Sequence, residues 1–155
     1  MTAAFSFTTE WRFDAPHEMV CDAIIQCLDW PQWWLGAEQV EKLITGDSDG
    51  VGSVHRFTWK GKIPYHFTFT MRVTRYVPGV LLEGGAEGEV VGTGRWDFVR
   101  ANDITIVRYA WTVRTNRLWM NLLAPIARPI FKWNHDQVMR QGELGLAHWL
   151  RMQSK

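Results

Sequence analysis

Cysteine is scarce, with two among 155 residues. Cys21 and Cys27 stand six apart in a stretch with helical spacing, about 9 Å along the axis, beyond the reach of a disulfide. The chain therefore reads as a reduced, cytoplasmic protein. An excess of one charge is missing too. The 17 basic and 16 acidic residues give a net charge of +1, and no basic patch or tail offers itself to nucleic acid. No apolar run reaches the length of about 18 residues that a membrane span needs. The stretch from Met1 to Phe13 lacks a charged region followed by an apolar core, so it is not read as a secretion signal. The five histidines (His17, His55, His66, His135, His148) form no HxH or HExxH spacing, and there is no CxxC. No metal and no cofactor is expected. No glycine-rich phosphate loop opens a helix and no GxSxG elbow is present, which leaves nucleotide and nucleophilic chemistry without residues. Repeats, linkers and low-complexity segments are absent, so residues 1–155 read as a single domain.

What is abundant is tryptophan, ten in all. Such large amphipathic rings line cores and apolar ligand sites alike, so composition alone does not choose between them. Order along the chain says more. Phe5, Phe7, Thr9, Trp11 and Phe13 alternate with polar neighbours, which predicts a strand with one buried face. Helical spacing follows over His17–Cys27 and a short helical piece over Asp29–Leu35, where Trp30, Trp33 and Trp34 crowd together. Strands are then predicted over Val40–Thr45, Ser53–Lys60, Tyr65–Thr74, the glycine-rich Val80–Val91, Gly94–Val99 and Thr105–Arg114. Turn signals at Gly46–Gly50, Gly61–Pro64, Pro78–Gly79 and Ala101–Asp103 separate them. Sustained alternation implies an antiparallel sheet with one solvated face. Arg72, Arg108 and Arg114 fall on the solvated face.

The last quarter organises the rest. Pro125 and Pro129 punctuate it, predicting a short helix Arg117–Ala124, a kink, and a long helix from about Ile126 to Met152. Phe131, His135, Val138, Gly142, Leu146 and Trp149 share one face of the long helix. An imidazole and two glycines, Gly142 and Gly145, interrupt that apolar stripe. Two readings stand open. The small residues leave space beneath the helix, or they only let a neighbouring strand approach closely.

The element order of strand, two helices, about six strands and a long helix resembles the START-like, or SRPBCC, helix-grip superfamily. Three pieces look closer still to its bacterial polyketide cyclase/dehydrase branch: the run Gly92 to Phe98, the run Tyr109 to Val113, and the segment from Asn116 to Met139 and on to Gly142. The resemblance spans essentially the whole chain. It implies an α+β helix-grip fold, a curved antiparallel sheet of about seven strands wrapped round a long C-terminal helix. It also implies a cavity between sheet and helix. It brings no catalytic residue with it, because that superfamily holds cyclases, hydrolases, transfer proteins and plain binders.

The residues expected to line such a cavity are Trp11, Phe67, Phe69, Met71, Glu83 and Trp96, with Phe98, Trp111, Phe131, Val138 and Gly142 completing it. His135 is the candidate acid or base, set against a purely structural imidazole bonded to backbone. Tyr109 is the candidate donor to a ligand carbonyl. Glu83, among glycines, is a carboxylate whose environment could raise its pKa and make it a base. The expected partner is a small hydrophobic molecule, polyketide-like or aromatic, held by a monomer or homodimer. Cyclisation or dehydration by proton transfer is the chemistry such a cavity would support, and whether the chain is an enzyme stays open. The alternative is a lipid or quinone carrier without catalysis, and a third reading is an interaction module with a collapsed cavity.

Overall fold

A computed structural model describes residues 4–61, 66–115, 122 and 124–153. Strand β1 (Ala4–Phe13) is followed by helix α1 (His17–Ile25), a 3₁₀ turn (Cys27–Asp29) and the single turn α2 (Trp30–Trp33). Then come β2 (Ala37–Ile44), β3 (Val54–Lys60), β4 (His66–Val77), β5 (Leu81–Gly88), β6 (Val90–Ala101), β7 (Ile104–Thr115) and helix α3 (Ala124–Gln153). The seven strands form one curved antiparallel sheet in the order β1-β7-β6-β5-β4-β3-β2. This is the α+β helix-grip architecture that the element order predicts.

Local chemistry sets the breaks. Asp47 accepts the amides of Asp49 at 2.9 Å and Val51 at 3.0 Å through one carboxylate oxygen, closing the β2–β3 turn. Asn102, with φ 58, makes the tight β6–β7 connection, a conformation asparagine tolerates better than most residues. The predicted strand Val80–Val91 is divided: Gly88 adopts φ 115, and β6 begins at Val90 rather than Gly94. Backbone of that kind is open almost only to glycine. The predicted segment Arg117–Ala124 falls, apart from Leu122 and Ala124, outside the described residues. In α3, Pro125 occupies the first turn and Pro129 lies inside the helix, where it has no N–H to offer the carbonyl four residues back.

The outer face of the sheet is charged and paired. Arg108 meets Glu10 at 3.1 Å, Arg95 meets Asp97 at 3.1 Å, and Arg56 meets Glu41 at 3.5 Å. The inner face is aromatic, and α3 lies along it beside β1. Phe5 meets Phe131 edge-on with ring centres 5.6 Å apart. Phe7 lies 4.6 Å from the His135 ring. The Arg12 amide donates to Glu143 at 3.0 Å. Further along, Trp11, Trp34, Leu146 and Leu150 are buried in a solid core. The helix thus grips tightly through its C-terminal half.

Candidate functional site

The glycines of α3 do not open space. A Cβ on Gly142 would lie 2.6 Å from Cε2 of Trp34 and 2.7 Å from Cζ2 of Trp11. One on Gly145 would overlap the carbonyl oxygen of Trp33. The approach is close, as one reading had it, but the backbone that approaches belongs to the end of α2 rather than to a strand. Because Gly142 has no side chain, the Trp34 indole reaches the helix and donates to the Val138 carbonyl at 2.8 Å.

The space lies nearer the N-terminus of α3. A cavity of about 210 Å³ opens beneath Phe131, Asn134, His135, Val138 and Met139. Phe5 and Phe7 of β1 form one wall, and Tyr109, Trp111, Val113 and Thr115 of β7 form the floor with Trp96. Phe67 and Phe69 of β4 close it with Trp59, and Trp30 of α2 and Trp34 just after it reach in. A second, wider hollow of about 630 Å³ lies between α1, the 45–50 turn and the middle strands. Its wall carries polar groups, including Lys42, Asp47, Asp49, His55 and Arg72, along with Met71. Trp30, Trp59, Phe69, Trp96 and Tyr109 border both hollows and form a waist between them. At that waist Trp96 and Tyr109 pack with ring centres 4.2 Å apart and planes tilted by 32°.

Two polar groups stand out in the apolar inner hollow. His135 is largely buried, and its Nδ1 has no hydrogen-bond partner. Burial pushes its imidazole down to about 4, with Asp136 pulling it up and Lys132 further down. It is therefore neutral at pH 7, with one nitrogen an acceptor and the other a donor. No bond to backbone is made through its Nδ1. Tyr109 sits deep in the fold, and its residual accessible surface opens on the two hollows. Burial raises its phenol well above the ordinary value, which keeps it protonated and a donor. Its hydroxyl lies against Gly94, where a Cβ would stand 2.6 Å away.

Of the predicted lining residues, Phe67, Phe69, Trp96, Trp111, Phe131 and Val138 come together round the inner hollow. Met71 borders the outer one. Trp11, Phe98 and Gly142 stand off both. Trp11, 1 % exposed, is wedged between Phe13, Trp34 and Trp96, and Phe98 is 5 % exposed in the same core. Both share an inward face with cavity residues, but helices cover them. Glu83 borders the outer hollow, yet its carboxylate is turned to Arg95 at 3.5 Å, its cross-strand partner. His55 does point inward, beside Phe57 at 6.4 Å between ring centres, and burial, then the Lys42 charge, lowers its pKa.

The prediction missed Phe5, Phe7, Trp59 and Asn134. Alternation already placed the first two inward. Only their pairing with the first turns of α3, a tertiary fact, separates them from Trp11. Among the described residues no group of three or more His, Cys, Asp or Glu side chains gathers to hold a metal ion. No described helix is long and apolar enough to cross a membrane.

No protein-family profile and no curated protein sequence matches this chain. Solved structures do. The Zhui aromatase/cyclase from a Streptomyces superposes with a TM-score of 0.79 at 14% identity, covering 99% of this chain and 97% of that one. A START superfamily protein from Mycobacterium smegmatis gives 0.71 at 16% identity, covering 96% and 97%. The di-domain ARO/CYC BexL gives 0.68 at 20% identity over 92% of this chain, which spans only 50% of that longer protein. At such identities the likeness is one of fold.

Proposed function

From its START-like helix-grip fold, we propose that this chain binds a small, flat, apolar molecule of aromatic or polyketide type, with its body in the inner hollow. One observation carries the reading. An aromatic-walled cavity of about 210 Å³ holds the Tyr109 side chain and, beside it in the lining, His135, whose Nδ1 has no hydrogen-bond partner. Buried polar atoms are ordinarily satisfied. A ligand carbonyl taken by the phenol, and a ligand hydroxyl shared with the imidazole, would satisfy them. A cavity of about 150 Å³ with apolar walls is known to take up benzene, so the inner hollow is scaled to one or two rings. The wider hollow beyond the waist has room for the remainder.

The same two groups support a second reading, cyclisation with dehydration. The neutral imidazole would accept a proton from the carbon next to a ligand carbonyl, while the phenol hydrogen-bonds the enolate oxygen. The carbanion then attacks a second carbonyl of the same molecule, forming a C–C bond. The resulting alkoxide takes that proton back from the imidazolium and becomes a hydroxyl; the imidazole then removes the second proton from the attacking carbon and delivers it to the hydroxyl, which leaves as water while a C=C bond forms. An imidazole held at about 4 is a weak base at pH 7, so binding is the stronger of the two readings.

Native mass spectrometry of the purified protein, followed by tryptophan-quenching titrations with one-, two- and three-ring phenols and quinones, tests the proposal. Saturable 1:1 quenching by a hydroxylated two-ring compound is expected, weakened by His135→Leu and by Tyr109→Phe in variants that melt like the parent. A copurified phospholipid or quinone insensitive to both substitutions would favour the carrier instead. Quenching by no compound, with no copurified mass, would end the binding reading. Product formation from a linear poly-ketone, lost in His135→Leu while binding persists, would establish the cyclase.

A further inference from the structure

The sheet beneath the waist is bare of side chains. Gly84 of β5 and Gly94 of β6 are cross-strand partners, and Gly94 is paired in turn with Trp111 of β7. Both glycines border the outer hollow. Met71 of β4 lies over this strip. Its Cε stands 3.2 Å from where a Cβ on Gly84 would be and 3.3 Å from where one on Gly94 would be. The thioether therefore crosses β5 and ends against β6, and it reaches that far because neither glycine has a side chain to stop it. The Tyr109 hydroxyl stands 2.6 Å from the same Cβ position on Gly94, so the end of Met71 and the phenol share one glycine. Tyr109 borders both hollows, Met71 only the outer one.

The other groups at the waist are rings fixed by further contacts. Trp96 packs on Tyr109, Trp11 and Trp34. Phe69 packs on Phe57 and Trp111. Trp30 donates its indole N–H to the Ile24 carbonyl at 3.0 Å. Displacing any of these would break several contacts at once. Met71 is partly buried, and an unbranched side chain with three rotatable bonds adapts its shape readily.

We infer that Met71 is the specificity-determining residue of this site: laid over Gly84 and Gly94, its thioether is the movable part of the waist, and a molecule seated in the inner hollow extends into the outer one only by turning it aside. The inference rests on the proposed binding of a flat aromatic molecule and adds a length rule to it. Molecules of about one or two rings are held within the inner hollow and leave Met71 in place. A linear three-ring molecule must lift the thioether from the glycines and forfeit its packing there. A side chain that merely lines a site has the opposite effect. It gains contacts with a longer ligand, so trimming it weakens binding. Trimming a side chain that must be displaced tightens binding, because a cost of entry is removed.

Tryptophan-quenching titrations of the full chain with 1-naphthol and with 1-hydroxyanthraquinone test this in the parent, Met71→Ala and Met71→Leu. Leucine nearly conserves volume but ends one bond short of methionine, so it does not reach Gly94. Met71→Ala is expected to tighten 1-hydroxyanthraquinone by about five- to tenfold, since apolar packing is no longer lost on entry, and to leave 1-naphthol within about twofold. Met71→Leu should shift the same way by a smaller factor, and it decides the sign if the alanine variant melts well below the parent. Unchanged or weakened binding of 1-hydroxyanthraquinone, or equal tightening of both compounds, overturns the inference. Where 1-naphthol still quenches the parent saturably, such a result removes the role of Met71 alone. Where neither compound quenches any of the three proteins, the binding proposal falls and this inference falls with it.

Discussion

The indole of Trp34 occupies the place where a side chain on Gly142 would stand, with its Nε1 2.8 Å from that Cβ position and donating to Val138 at the same distance. Three facts follow from this one contact. Helix α3 is fastened to the α2 turn by a hydrogen bond through its own main chain. The C-terminal half of the grip is solid. The hollow is pushed towards the N-terminal turns.

The sign of a Gly142→Ala change is therefore settled by packing. On propensity alone, alanine in a helix interior would gain about 1 kcal/mol. Here the new methyl drives into two tryptophan rings and displaces the Trp34 hydrogen bond. A net loss of about 1–3 kcal/mol is expected, the usual cost of overpacking. Gly145→Ala should cost more, because its methyl meets the Trp33 carbonyl, which is backbone and cannot rotate away. Urea unfolding of the three proteins measures this. A stabilised Gly142→Ala would mean that the space beneath it is empty.

This contact also shows where the sequence was legible and where it was not. Alternation in β1, β4 and β7 predicts the sheet and its inward residues, because a period of two is local. The glycines of α3 were ambiguous because an empty site and a tightly filled one leave the same mark on a sequence. Only Trp34, more than a hundred residues away, decides between them. Trp11 and Trp111 look alike in their strands, yet helices bury one and the cavity borders the other. Glu83 among glycines suggested a pocket carboxylate, and its pairing with Arg95 depends on the register of β5 with β6. Register is not written in either strand alone.

His135 couples stability to pH. Unfolded, an imidazole takes up its proton near 6.5; folded, burial holds this one at about 4. Between those values the unfolded chain binds more proton, so stability falls as the pH drops from 6.5 towards 4 and is level above 6.5. The contribution is about 3 kcal/mol at full extent, most of it reached by pH 4.5. His55, lowered in the same direction, adds to the trend. In His135→Leu the difference in unfolding free energy from urea titrations at pH 7.5 and pH 4.5 should shrink by about 2–3 kcal/mol, with stability at pH 7.5 equal or higher. An unchanged pH difference would show that the imidazole is hydrated in the folded protein.

Tyr109 and Glu83 separate inner from outer chemistry. Tyr109→Phe keeps the ring packed on Trp96 and removes only the hydroxyl, so the fold should lose little. Affinity for a carbonyl-bearing ligand should fall about three- to tenfold, the worth of one neutral hydrogen bond. Glu83→Gln disturbs only a partly exposed pair with Arg95 and should leave the same affinity within twofold. Parallel titrations of the two variants make the comparison. If Glu83→Gln weakens binding as much as Tyr109→Phe does, the carboxylate turns inward when ligand is present.

The two cysteines report on the outer hollow without any substitution. Both are free thiols, and burial pushes Cys21 and Cys27 each up to about 11. The thiolate is the reactive form, so at pH 8 only about one thiol in a thousand is ionised at either site. Native protein should react with Ellman's reagent far more slowly than unfolded protein, which should release two equivalents at once. Cys27 borders the outer hollow and Cys21 does not, so the slow native reaction should modify Cys27 first, as peptide mapping after partial reaction would show. A ligand long enough to pass the waist and fill that hollow should slow the reaction again. A ligand confined to the inner hollow should leave the rate unchanged. The rate thus measures how far a bound molecule extends past Tyr109, and immediate reaction of either thiol in the native protein would contradict the burial on which it rests.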